Sequence, residues 1–387
     1  MHIAGGIYRE LCDVPRWNAE YGSGGRAAAA VSSLSPGSSL HTYARNPDSD
    51  GIRSLRVLGI DVQAAQSNCA ITFAYFHSLS DPHVEPPLDS IVRQHPIEVR
   101  GDVVLRFGFL EGDAVVTARR AIYDPQTPKV PASFGENGST ANELALVMNE
   151  LELRQFAATD DLNVGAARAL LDPVVSVLVV KAGAKGAHVF DRGAGHAFIP
   201  AYRSQRVFKI GTGDVFSALF AFHWGEAGMP AHHAADLASR SVAAYCDSPR
   251  LPLGAKAAEG LSPIEGFVPT CIWLEGSTTT IGRRYTLEEL RFRLTQLGAT
   301  VVCPALDTGA CPDVEASAVM LVVDDGMTND IRDRARHAIT RGVEVVLLNE
   351  HRSECGVTAC DLPGCTSVDD FSSALYLSIW AAMRRLT

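Results

Sequence analysis

Phe208-Lys209-Ile210-Gly211-Thr212-Gly213-Asp214-Val215-Phe216 is the stretch on which the reading of the chain turns. Two glycines bracket a threonine, an acid follows at once, and the apolar run 217–224 continues the pattern, which predicts a tight turn opening a helix. Backbone N–H groups at such a turn point outward, and the helix dipole adds partial positive charge, so the turn suits an anion such as phosphate. Asp214 is then the unusual residue. A carboxylate beside bound phosphate is repulsive unless it takes a proton or faces a metal, so the pairing points to phosphoryl transfer. On its own Gly-x-Gly-Asp also fits an N-capped surface helix, and other segments have to decide between the two.

The stretch resembles the second signature of the ribokinase-like (PfkB) carbohydrate and nucleoside kinases, Asp-Thr-x-Gly-Ala-Gly-Asp. The resemblance implies that Asp214 is the catalytic base and that Gly211, Thr212 and Gly213 form the anion hole. Phe208 and Lys209 stand where the family has Asp-Thr, which puts the family's monovalent-cation site in doubt. Further elements of the family arrive in order. Glu10 falls where the family carries an acid that accepts hydrogen bonds from substrate hydroxyls; an exposed loop acid is the alternative. Gly24, Gly25 and Arg26, in Tyr21-Gly22-Ser23-Gly24-Gly25-Arg26, resemble the first signature, whose backbone lies against the sugar. Asn149 and Glu152 match an Asn-x-x-Glu element that orders Mg²⁺ near the phosphates; a helix-start acid would look the same. Lys181, Gly183 and Gly186 match a Gly-x-x-Gly turn bordering the nucleotide phosphates, with a plain glycine hairpin as the alternative. The cofactors so implied are ATP and Mg²⁺.

At 387 residues the chain exceeds what one core normally organises. A hydrophobic fraction of 47% with 20% charged residues describes a globular protein, and a net charge of -10 argues against a general nucleic-acid binder. The apolar run at 215–224 is too short to cross a bilayer, so a cytoplasmic protein without membrane contact is expected, with its nine cysteines reduced. Cys355, Cys360 and Cys365 lie near His351, but their four-residue gaps are not those of a zinc knuckle.

Residues 1–252 are therefore expected to form a ribokinase-like, doubly wound α/β sheet. Its lid should be reduced, because only about fifteen residues separate Gly6 from Gly22. Residues 253–269 read as a linker. From 270 to 387 a new alternation of strands and helices predicts a smaller flavodoxin-like, doubly wound α/β domain, with a capping box at Thr286-Leu287-Glu288-Glu289 starting its first helix. Strand ends at Glu275-Gly276-Ser277 and Asp324-Asp325-Gly326 loosely resemble the nucleoside 2-deoxyribosyltransferases. Arg334 falls where that family's nucleophilic Glu would be, and a cation cannot attack an anomeric carbon, so degeneracy is expected there.

The function expected from the sequence is ATP- and Mg-dependent phosphoryl transfer to a hydroxyl of a nucleoside or sugar, by a chain able to form a homo-oligomer. Two alternatives stand beside it. One is a non-catalytic nucleotide or nucleoside sensor, and the other is glycosyl transfer or hydrolysis by the C-terminal domain.

Overall fold

The computed structural model describes the whole chain except residues 128, 255, 267–270, 308–318, 351–361 and 384–387. The chain divides into two compact units. One comprises 1–204 and 209–262; the other comprises 205–208 and 263–387.

The strands of the first unit are, in chain order, β1 (His2–Ala4), β2 (Arg9–Val14), β3 (Trp17–Glu20), β4 (Ser39–Ala44), β5 (Asp61–Gln66), β6 (Thr72–His77), β7 (His83–Glu85), β8 (Ile97–Phe107), β9 (Ala114–Asp124), β10 (Thr140–Asn149), β11 (Val175–Lys181), β12 (Gly186–Asp191) and β13 (Gly195–Pro200). Nine of them form one sheet in the order β13-β12-β11-β10-β9-β8-β1-β4-β5. The ladders from β11 across to β5 are parallel, and the β11-β12-β13 edge is antiparallel. Parallel strands covered on both faces read as continuous apolar runs, and Leu144 to Met148 and Val175 to Val180 do so, at 2% exposure or less apart from Ser176. A second sheet, β3-β2-β6-β7, is the lid; the short stretch between Gly6 and Gly22 supplies two of its four strands.

The helices of this unit are α1 (Gly22–Val31), α2 (Asp50–Val57), α3 (Glu150–Ala157), α4 (Leu162–Ala169), α5 (Thr212–Phe220) and α6 (Ala231–Asp247). Every residue of α1 is buried, which explains its run of four alanines: α1 packs on α5 and on β4, where larger side chains would not fit. Backbone approaches backbone at one point. A Cβ on Gly24 would lie 2.3 Å from the Gly5 carbonyl oxygen, so glycine there lets α1 seat against the end of β1.

The second unit holds β14 (Cys271–Glu275), β15 (Thr300–Val302), β16 (Val319–Val323), β17 (Glu344–Leu348) and β18 (Thr366–Val368), with α7 (Ile281–Gln296), α8 (Asn329–Thr340) and α9 (Phe371–Met383). All its ladders are parallel, in the order β15-β14-β16-β17-β18. Numbered within the unit this is 2-1-3-4-5, the flavodoxin-like arrangement. The expected capping box is not what starts α7. The helix begins a turn and a half earlier, capped by Thr280, whose hydroxyl accepts from Arg283 N, while the Thr286 hydroxyl donates back to the Gly282 carbonyl inside the helix.

Candidate active site

Three adjacent parallel strands end in polar residues. Asp124 closes β9, Asn149 closes β10 and Lys181 closes β11. The carboxyl edge of a parallel sheet is where α/β folds place ligands. The Gly211-Thr212-Gly213 turn belongs to the same site. Gly211 is the N-cap of α5 with φ +75°, in the left-handed region that glycine enters without steric penalty. The first capping bond runs from Val215 N to Gly211 O, so the N–H groups of Gly213 and Asp214 lie ahead of any intrahelical acceptor. An anion could accept from them.

Asp214, Arg26 and Glu10 come together although 188 and 16 residues separate Arg26 from its two acids. Arg26 is 1% exposed. Its Nη1 donates to Glu10 Oε1 at 2.9 Å and to Asp214 Oδ2 at 2.8 Å, its Nη2 pairs with Glu10 Oε2, and its Nε donates to the Tyr245 hydroxyl at 3.1 Å. Tyr245, on α6, donates to the Ile210 carbonyl at 3.1 Å and so ties the guanidinium to the glycine turn. Burial opposes charge on Arg26, yet Glu10, Tyr245 and Asp214 outweigh it and hold the guanidinium protonated. The turn leaves no room for a side chain: a Cβ on Gly211 would meet Arg26 Nε at 2.1 Å. The other oxygen of Asp214, Oδ1, accepts from Gln126 Nε2 at 2.5 Å. Trp17 Nε1, on the neighbouring strand β3, donates to Glu10 Oε2 at 3.3 Å, so the small sheet itself supplies one acid of this group and holds it.

The second cluster centres on Lys181. Its Nζ donates to Asp124 Oδ2 at 2.6 Å, and Ser217, one turn beyond Asp214 on α5, donates to the same oxygen at 2.6 Å. A Cβ on Gly213 would lie 3.6 Å from Lys181 Nζ, so the ammonium stands beside the glycine turn. Burial opposes its charge, but the Asp124 and Glu152 carboxylates prevail and raise its pKa above the usual lysine value. Burial raises the Asp124 carboxyl, offset in part by Lys181. Asp124 Oδ1 is buried and has no hydrogen-bond partner. Lys209 reaches the turn from its other end, donating from Nζ to Thr212 Oγ1 at 3.2 Å.

Asn149 and Glu152 form a capping box at the start of α3. Asn149 Oδ1 accepts from Glu152 N at 2.9 Å, and Glu152 Oε2 accepts from Asn149 N at 2.8 Å. Glu152 Oε1 takes Thr127 N at 3.1 Å, and the side chain is nearly buried. Each of these oxygens keeps a lone pair, and they and the unpartnered Asp124 Oδ1 are hard oxygen donors of the kind Mg²⁺ takes. Among the described residues no group of three or more His, Cys, Asp or Glu is arranged as a metal site. His351, Cys355 and Cys360 lie outside the described residues; Cys365, like Cys12, Cys69, Cys246, Cys271 and Cys303, forms no disulfide.

The remaining expected residues have simpler surroundings. Gly183 starts the turn of the β11–β12 hairpin with φ +59° and open space around it. Gly186 ends that turn with φ +125°, where a Cβ would strike the Ile199 carbonyl at 2.0 Å. Gly25 has ordinary space. In the second unit, Arg334 donates to both oxygens of Glu275, which is 2% exposed at the end of β14 and also accepts from Trp273 Nε1 at 2.8 Å. The residue in the nucleophile position is thus the counter-charge of a buried acid.

Compared with known families, residues 139–250 match the pfkB family carbohydrate kinases. Residues 139–250 are a pfkB-family segment. The matched segment contains Asn149, Glu152, Lys181 and the whole Gly211–Asp214 turn. No curated protein sequence matches the chain significantly. Among solved structures, the chain is similar to a ribokinase from Arabidopsis thaliana complexed with ribose and ATP (16% identity, 66% of this chain and 96% of that one, TM-score 0.49). It is also similar to a Vibrio cholerae fructokinase bound to fructose, ADP and calcium (15%, 67% and 99%, TM-score 0.46). A third similar structure is a pyrophosphate-dependent kinase of the ribokinase family with a pyrophosphate analogue and myo-inositol (17%, 67% and 98%, TM-score 0.45).

Sequence reasoning missed four residues of this site: Asp124, Gln126, Ser217 and Tyr245. Asp124-Pro125-Gln126 carries a readable signal, an acid and an amide directly after a buried strand. Ser217 and Tyr245 carry none, since a serine or tyrosine in a helix has no local feature that marks a distant partner.

Proposed function

We propose that the chain transfers the terminal phosphoryl group of ATP to a hydroxyl of a small carbohydrate or nucleoside, with Asp214 as general base. The observation that carries this reading is the carboxylate of Asp214 at the first turn of α5, beside the unsatisfied N–H groups of the glycine turn and the Lys181 ammonium. In the proposed step the acceptor hydroxyl gives its proton to Asp214 as its oxygen bonds to phosphorus. The bond from phosphorus to the bridging oxygen breaks, and ADP leaves. Gly213 and Asp214 N–H groups and Lys181 stabilise the charge on the moving phosphoryl group, which is where electrostatic catalysis acts. Asn149, Glu152 and Asp124 are the residues that would hold Mg²⁺, which when bound would add positive charge beside the phosphates. Glu10 and Arg26 form the polar floor of the acceptor site, Gly24 and Gly25 set α1 against it, and Gly183 and Gly186 shape the turn on the nucleotide side. Residues 1–252 are the kinase domain, residues 270–387 are a ligand- or partner-binding domain without glycosyl-transfer activity, and the protein acts in the cytoplasm. In the described residues no helix is long and apolar enough to cross a membrane.

A second reading, a non-catalytic nucleotide or nucleoside sensor, is favoured by one observation: both oxygens of Asp214 already accept hydrogen bonds from the protein. Incubation with Mg-ATP and a panel of sugars and nucleosides separates the two. The kinase gives a phosphorylated product, and the sensor gives thermal stabilisation without product.

A further inference from the structure

Asp214 accepts two hydrogen bonds, and their donors are unlike. Arg26, on Oδ2, is buried and tethered on three sides, by Glu10, by Tyr245 and by Asp214 itself. Gln126, on Oδ1, is an exposed side chain two residues beyond β9, and this is the hydrogen bond that holds its amide. Its backbone is one of two non-glycine positions of positive φ in the described residues, at +47°. An unbranched L-residue held there costs about 1 kcal/mol or more, so the loop is bent at some expense to aim this side chain. A general base has to offer a lone pair to an O–H donor at about 2.6–3.2 Å. Each oxygen of Asp214 has one lone pair engaged, at Oδ1 by the N–H of an exposed amide and at Oδ2 by a guanidinium that cannot leave without stranding two buried acids. Only the Oδ1 donor can be exchanged for a substrate.

We infer that Gln126 is a latch on the base: its amide holds Asp214 Oδ1 until the acceptor hydroxyl displaces it and donates to the same oxygen. Gln126 is thus a positioning residue that competes with the acceptor. The inference rests on the reading of Asp214 as general base. It explains how a carboxylate that accepts a hydrogen bond on each oxygen at rest can still offer Oδ1 to a hydroxyl, in place of the exposed amide. It also assigns the accepting oxygen, Oδ1, and the side from which the hydroxyl comes, the end of β9.

Kinetics of Gln126→Ala against wild type, with the acceptor found in the panel, give the first test. Removing the competitor lowers the acceptor KM several-fold, up to roughly tenfold, and leaves kcat within about twofold. Gln126→Gly, which also removes the positive-φ cost, gives the same KM change together with an unchanged or higher melting temperature, separating the side chain from the loop. An unchanged or raised KM, or a fall in kcat, overturns the latch. A readout free of turnover is the side-chain amide resonance of Gln126 in ¹⁵N-labelled protein, assigned by its loss in Gln126→Ala. Bonded to a carboxylate it lies downfield of free glutamine, and it returns to the free position in Asp214→Ala; an unmoved resonance overturns the inference. Were wild type to phosphorylate nothing, the kinase reading would fall while this resonance still decided whether Gln126 holds Asp214.

Discussion

Glu10, Arg26 and Asp214 share one buried guanidinium, so removing either acid strands part of a charge that water cannot reach. Glu10→Ala is expected to lower unfolding free energy by about 3 kcal/mol, since loss of one partner of a buried pair typically costs 3–5 kcal/mol, measured by urea denaturation. A loss below about 1 kcal/mol would show that the guanidinium finds water or another partner. Gly211→Ala should be worse for activity than for stability. The added methyl strikes Arg26 and the backbone must hold φ +75°, so the turn and the base move together. At this scale the sequence revealed the participants separately. Each matched a short motif, but the shared contact joins positions 10, 26 and 214 through a lid strand, a helix and a glycine turn, and no local pattern encodes that. Arg26 was legible with Gly24 and Gly25 as part of the first signature, but its pairing with Glu10 and Asp214 was not.

The elements carry two further expectations. Asn149 caps α3 through its side chain, so Asn149→Ala costs about 1 kcal/mol by loss of the cap, seen as a lower melting temperature. If Asn149 and Glu152 also serve Mg²⁺, the variant requires more Mg²⁺ for half-maximal activity; a stability loss with an unchanged Mg²⁺ requirement confines them to capping. On β4, one strand in from the edge of the large sheet, burial and the neighbouring His2 push the His41 imidazole down to about 4, against a weaker opposing pull from Asp61. The unfolded chain, with an ordinary imidazole near 6.5, then binds more protons than the folded one as pH falls. The stability from a neutral His41 is therefore complete above about pH 6.5 and is lost as pH falls through about 4. Melting temperatures from pH 7.5 to 4 should decline less steeply in His41→Gln. The alternation expected in 270–387 was legible because long apolar or periodic runs mark strands β16 and β17 and helix α8. The start of α7 was misread because Thr286-Leu287-Glu288-Glu289 has the capping-box pattern, while the weaker sequence signal at Thr280 holds the cap. Polar positions such as Glu143 and Asn142 concealed β10, whose partners on both sides hold it in the sheet.

For the whole molecule, alternation of strands and helices made both α/β units legible, including the flavodoxin-like strand order of the second. The boundary was less so, because residues 205–208, just ahead of the glycine turn, belong to the second unit through contacts such as Val207 N to Ser373 Oγ at 2.8 Å. In that unit Arg334→Ala leaves the buried Glu275 with Trp273 as its donor and without its half-exposed counter-charge, and should lower stability by about 1–2 kcal/mol, read in a denaturant titration. Nucleosides incubated without ATP should release no free base, since Arg334 cannot act as a nucleophile; release would return the second unit to the catalytic account. The central claim is tested most directly by mass spectrometry after incubation with Mg-ATP and a mixed panel of sugars and nucleosides, comparing wild type with Asp214→Asn. Wild type is expected to form a phosphorylated product that falls by at least about 10²-fold in the variant, the usual scale of general-base catalysis. A wild type that forms no product, yet melts higher with ATP or a nucleoside, would contradict it and leave a sensor in place of the kinase.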